Sequence, residues 1–383
     1  MIRYSTEQVD AVLVSSLLNA GLLLLLGAAL YAAPSALLNP GTVPFGVRVP
    51  PCRAEDPQIG AVRRQYRATV LWATAVATAA AAGLGALLDS VAAGLVTGML
   101  LCALAAVLWL RAHRALAETK KREQWYAGLR QGAVADTSLR TDPVGVPWAW
   151  SVPSYLVIAA TAAVGAAAYP ELPDTLAVPT RTGEGTHYYE VATTFWTAFS
   201  PVFGQVVSTA AVLVLVAAML RARPDLDAAR PVAGAARHRR FLAACSRALL
   251  ALCAVVDTML LGLSAMVWSG ERSTALLFAV VGIPALVTFG IVAGFVVRVG
   301  PGGQRLAEGP EDEATGLVQR DDDRYWHAGG LVYANGGDPA VLVPRRVGMG
   351  WTVNVGNPRA LTGVIVVLVA LGSAALATVG LLV

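Results

Sequence analysis

The chain of 383 residues is 56% hydrophobic and only 14% charged, with a net charge of +4. That balance is too apolar and too poor in charge for a water-soluble enzyme of this size. The apolar residues lie in blocks of about 20 or more, each long enough to cross a hydrocarbon core as a helix, so the class is an all-α integral membrane protein.

Eight transmembrane helices are predicted, at 11–33, 68–88, 91–112, 150–169, 193–220, 242–268, 275–298 and 361–383. The first follows Arg3, Glu7 and Asp10 and is far longer than a signal-peptide core, so it reads as a retained helix. Loop 34–67 holds Pro40, Pro44, Pro50, Pro51 and Pro57, which forbid a long helix, and its Arg63, Arg64 and Arg67 suit lipid headgroups. Only Asp89 and Ser90 separate the second and third blocks, which predicts a tight hairpin, with one long non-crossing helix as the alternative. The third block runs on into a charged helical stretch, 111–130.

Loop 170–192 is short and proline-bounded, and carries Pro173, Asp174, His187 and Glu190. The step from His187 to Glu190 offers two ligands without an HExxH helix, so no metal site is assigned. Pro201 and Pro284 should bend or interrupt the fifth and seventh spans. The sixth span carries Asp257 at its centre. An ionisable group there is costly and marks a functional candidate. Arg247 is ten residues away on the same helix, about 15 Å, too far for a direct pair. Gln205, in the fifth span, completes the predicted intramembrane polar site.

Residues 1–298 thus form a membrane domain of seven helices. A Gly-, Pro- and acid-rich linker follows at 299–320, then a small β-rich module at 321–360, then the eighth helix. In the module, short β-prone pieces alternate with the turn Asn335-Gly336-Gly337-Asp338-Pro339. Tyr325, Trp326, Trp351 and Asn354 frame either a pocket or, more in keeping with so small a unit, its scarce core; Arg345 and Arg346 lie between them. Asp321, Asp322 and Asp323 read as a solvated acidic run rather than a cation site, since consecutive side chains diverge.

Loops 34–67, 111–149, 221–241 and 298–360 together hold 25 of the 29 basic residues. By the positive-inside rule these loops are cytoplasmic, and both termini lie outside. The four cysteines have no CxxC spacing, and no nucleophile elbow, phosphate loop or Ser-His-Asp arrangement is present. No catalytic residue, metal or cofactor is therefore assigned. The expected partners are the lipid bilayer and a protein partner or second copy, with no nucleic acid.

Three stretches, NPGTVPFGVRVP (39–50) with DPQIGAVRRQY (56–66), YPELPDTLAVPTRTGEGTHYY (169–189) and DDRYWHAGGLVYANGGDPAVLVPRRVGMGWTVNVGNP (322–358), together resemble a family of bacterial multi-pass membrane proteins of unknown function. Its members carry a C-terminal DUF5808-like domain and a DUF1648-like loop akin to that of the SdpI-type immunity proteins. Where related proteins place a histidine soon after the LPD step, this chain has Pro179. The resemblance implies protection or signalling at the envelope of the bacterial inner membrane and supplies no catalytic residues. Protein contact in signalling, immunity or regulation is the expected role; the alternative is a permease for a small solute or ion that uses Asp257.

Overall fold

The computed structural model describes residues 6–88, 92–134, 136–182, 185–306, 313–348, 350–363 and 365. The predicted eighth span, 361–383, lies almost wholly outside the described residues. In chain order the helices are α1 (Thr6–Ala32), α2 (Pro57–Leu88), α3 (Ala92–Arg122), α4 (Ser138–Thr141), α5 (Val152–Ala168), α6 (Phe195–Ala198), α7 (Ser200–Leu220), α8 (Pro231–Ser269) and α9 (Thr274–Arg298). The strands are β1 (Gln131–Gly132), β2 (Thr175–Thr182), β3 (Gly185–Ala192), β4 (Val318–Gln319), β5 (Trp326–His327), β6 (Val332–Tyr333), β7 (Leu342–Pro344) and β8 (Trp351–Val353). They pair into small two-stranded sheets, β1 with β4, β2 with β3, β5 with β6 and β7 with β8.

Among the described residues, six helices are long and apolar enough to cross a membrane; α1 contributes a shorter apolar stretch, Asn19–Ala32. The chain is therefore a multi-pass helical membrane protein. The second and third predicted spans fall in α2 and α3, which pack together; the predicted turn at Asp89 and Ser90 lies outside the described residues. α1 packs on both, and α5, α7 and α9 each pack on α8. At 39 residues α8 is about 58 Å long, well beyond a hydrocarbon core of roughly 30 Å, so its first turns stand outside the apolar layer.

Local chemistry sets the helix ends. α7 begins later than the hydropathy suggests, because Thr194 and Thr197 form a reciprocal capping box at α6 and Pro201 then occupies the first turn of α7. α8 stops at Gly270, whose φ of 67° is a left-handed cap, and Ser273 starts α9 by accepting the Leu276 amide at 3.3 Å. α9 runs unbroken through Pro284. At the other end of α8, the Glu313 carboxylate accepts the amides of Val232 and Ala233, each at 3.0 Å, where the helix has unpaired donors and the positive end of its dipole.

Residues 170–192 differ most from the sequence reading. Within them β2 and β3 pair antiparallel along their full length, with Thr175 opposite Ala192 and Thr182 opposite Gly185. Pro179, which argues against an interior strand, is accommodated because a two-stranded ribbon has an open edge for a residue without an amide hydrogen.

The connections at the opposite end of the bundle converge. Phe45, Tyr66 and Trp109 pack with ring centroids 4.9–6.2 Å apart and bind the loop after α1 to α2 and α3. Phe45 itself adopts φ +49°, and Gly46 at φ +77° meets Gly330 so closely that a side chain there would strike its Cα at 2.8 Å.

Candidate functional site

The intramembrane site forms where α5, α7 and α8 meet. Asp257 and Gln205 are both 0% exposed. The Gln205 amide, Nε2, donates to Thr161 Oγ1 on α5 at 3.0 Å and to the Asp257 carbonyl on α8 at 2.8 Å. Thr209, one turn beyond Gln205 on α7, donates to Asp257 Oδ2 at 3.1 Å, and the Cys253 thiol lies 3.7 Å from the same oxygen. One glutamine and one carboxylate thereby tie three helices at a single depth.

The network is incomplete. Among the described residues, Asp257 Oδ1, Gln205 Oε1 and Ser154 Oγ are buried without a hydrogen-bond partner. Buried polar atoms are nearly always paired, so open acceptors on two neighbouring side chains define a place for a donor or a cation. Among the described residues no basic side chain pairs with Asp257. Arg247 is exposed and does not join the site. The structure thus brings together Asp257 and Gln205, separates Arg247, and adds Thr161, Thr209, Cys253 and Ser154.

At the convergent end a second polar centre holds the 321–357 segment in place. Arg48 donates from Nε to Asp322 at 2.9 Å and from Nη2 to Asp225 at 2.8 Å, while its amide reaches Asp323 at 3.1 Å. Arg346, 2% exposed, pairs with Asp322 and Asp323, donates to the Gly46 carbonyl at 2.9 Å and lies 4.9 Å over the Trp326 ring. Lys120, at the end of α3, bridges Asp321 at 2.7 Å and Asp323 at 2.6 Å. The acidic run is therefore not solvated, as the sequence reading expects; its partners come from far away in the chain and neutralise it.

Burial alone would raise the Asp322 and Asp323 carboxyls, but Arg48 and Arg346 on the first, and Arg346 and Lys120 on the second, hold both below the usual carboxylate range. Arg48 is held above its ordinary value: burial opposes its charge, and Asp225 and Asp322 outweigh that. Among the described residues no group of three or more His, Cys, Asp or Glu side chains is placed to hold a metal ion.

The remaining predicted residues are structural. Asn354, 0% exposed, donates to the carbonyls of Asn335, Asp338 and Ala340 at 2.9–3.1 Å and accepts the amides of Asn335 and Gly356. Asp338 accepts from Tyr333 at 2.9 Å and pairs with Arg223. Asn335 bonds the Gly337 amide at 3.0 Å, setting the turn through Gly336, and the Pro339 carbonyl accepts from Asn357 at 3.0 Å. Trp326 and Tyr325 pack on Tyr333, and Trp351 stacks on Phe241 of α8. Arg345 is exposed and contributes a backbone bond to Gly350.

Residues 337–361 match DUF5808, a family of unknown function. No curated protein and no solved structure matches the chain. The DUF5808 segment contains Asp338, Arg346 and Asn354, which fix its own turns and seat it against the loop after α1.

In the hairpin, the Pro173 and Asp174 carbonyls accept from Thr193, and Glu190 accepts from Thr175 at 3.4 Å. The His187 side chain lies outside what is described. Thr161, Thr209 and Cys253 carry too little signal in sequence to be singled out, since threonine and cysteine are ordinary residues of apolar helices; only the helix crossings place them beside Asp257.

Proposed function

We propose that the chain is a permease for a small solute or ion, with Asp257 and Gln205 as its intramembrane binding pair and Thr209 and Cys253 beside them. The observation that carries this reading is the pair of open, fully buried acceptors, Asp257 Oδ1 and Gln205 Oε1, at the joint of α5, α7 and α8. A carboxylate in an apolar layer needs a proton, a cation or a donor group, and its second oxygen has none among the described residues. The reading by protein contact draws less support, because the polar and aromatic residues of the DUF5808 segment that would recognise a partner are spent on internal contacts: Arg346 on Asp322 and Asp323, Asp338 on Arg223, Trp351 on Phe241.

The proposal includes eight membrane crossings in the bacterial inner membrane, both termini outside, and the 321–360 module in the cytoplasm. The β2–β3 hairpin is then the outer, degenerate DUF1648-like loop. Proteoliposomes loaded and assayed in turn for proton, sodium, potassium and tetraphenylphosphonium flux test the core of the proposal. Wild-type protein is expected to pass at least one of these ions, and Asp257→Asn to reduce that flux about ten-fold or more. Equal flux through both proteins, or none through either, overturns it.

A further inference from the structure

A partly open cavity of about 570 Å³ lies at the hairpin end of the bundle, lined by β2, β3, the first turn of α7, the last third of α8 and the start of α9. Leu176 and Tyr189 of the hairpin, Trp268 of α8 and Phe278 of α9 line it. Its floor is Leu260 and Ser264 of α8 with Pro201 of α7. The aromatic wall is fixed in advance: Trp268 donates to the Ala198 carbonyl at 3.1 Å and its ring lies against Gly165, where a side chain would meet it at 2.8 Å.

The position of the floor joins this cavity to the polar pair. Leu260 is three residues beyond Asp257 on α8, and Pro201 four residues before Gln205 on α7, so the floor is about one helical turn from the polar pair along each helix, a rise of roughly 5 Å. The charge at this end of the bundle has the same sign. The described side chains of the hairpin, its flanks and the turn after α8 include Glu171, Asp174, Glu190 and Glu271 against Arg272.

We infer that the cavity takes a lipophilic organic monocation, its hydrocarbon or aromatic body in the cavity and its charge directed to Asp257; this inference rests on the permease reading and names its substrate class. A metal ion or ammonium would have to give up its hydration shell to apolar walls. A cation whose charge is spread over an apolar body gives up little, stacks on Trp268 and is attracted by the carboxylate without intervening water. An anion meets the wrong charge at this end of the bundle and at Asp257. A neutral molecule of the same shape fits the walls and is indifferent to Asp257.

Equilibrium dialysis of tetraphenylphosphonium against the detergent-solubilised full chain tests this, with neutral triphenylphosphine oxide as the comparison. Saturable binding of the cation is expected, weakened about ten-fold or more by Asp257→Asn and likewise by Leu263→Trp, which fills the cavity without touching the polar pair. The neutral compound should bind more weakly and equally to wild type and Asp257→Asn. If Asp257→Asn does not fold, Leu263→Trp decides, and undiminished binding to it overturns the inference. Absence of saturable binding to wild type, or equal affinity for wild type and Asp257→Asn, also overturns it. Asp257-dependent flux of an inorganic ion without tetraphenylphosphonium binding removes this inference and leaves the permease reading standing; loss of both removes both.

Discussion

Arg346 is the residue on which the seating of the DUF5808 segment depends. It is nearly inaccessible, it meets two carboxylates, a backbone carbonyl and an indole face, and no lysine reproduces that planar fork. Removing it strands Asp322 and Asp323 in a partly desolvated place. Arg346→Ala is expected to cost about 3–5 kcal/mol, the range for breaking one partner of a buried pair, read as a lowered midpoint of thermal unfolding in detergent; Arg346→Lys should recover little. The same carboxylates set a pH dependence. Their folded values lie below the unfolded ones, so the stability they provide is complete above about pH 4, near the unfolded value, and is lost as pH falls through the folded values. His238, near the start of α8, has its own window. Burial pushes it down to about 4 although Asp225 pulls the other way, so the unfolded chain takes up a proton first and stability declines as pH falls from about 6.5 toward 4. An acid titration followed by tryptophan fluorescence should show both phases, and His238→Gln should remove the upper one alone. An unchanged upper phase in that variant would show that His238 does not cause it.

At the scale of elements, the contacts of α1 with α2 and α3 rest on small residues. A side chain at Gly27 would overlap Thr74 of α2, and one at Gly94 would overlap Asn19 of α1. Gly27→Leu is expected to push α1 off α2 and lower the thermal midpoint, whereas Gly21→Leu, where a side chain meets nothing within 4 Å, should leave it unchanged; equal effects would show that close approach is not what holds α1. Elements of this kind are easily read from sequence, because length and apolar composition suffice to define a spanning helix. Asp257 is legible for a related reason, being an ionisable residue where the pattern has no place for one. The rest of its site is not, since Thr161 and Thr209 reach it only through the crossing of α5 and α7 with α8. The acidic run is misread because Arg48, its charge partner, is 274 residues from Asp322, and composition carries no record of such pairing. The hairpin is missed for want of a clear alternation around Pro179.

For the whole molecule, the question is which way the bundle faces. Loop 34–56, β1 after α3, the connection before α8 and the segment after α9 all meet at one end: β1 pairs with β4, and Arg48 joins Asp225 to Asp322. The hairpin and the turn after α8 share the other end through the walls of the 570 Å³ cavity. The first end holds nearly all the basic residues, and lysine and arginine in short loops stay cytoplasmic. The native cysteines make this testable with little engineering. Cys52 is exposed in the loop after α1, Cys245 and Cys253 are buried, and Cys102 sits within the apolar length of α3, where a polar reagent does not reach a thiolate. In intact cells a membrane-impermeant maleimide should therefore leave wild type unlabelled and should label Cys52 once the membrane is opened. Placing a cysteine in the hairpin by Tyr189→Cys in a Cys52→Ser background should give the opposite result, with labelling from outside before lysis. Labelling of Cys52 in intact cells would invert the orientation, and the cavity would then face the cytoplasm, so that the inferred cation would enter from inside the cell.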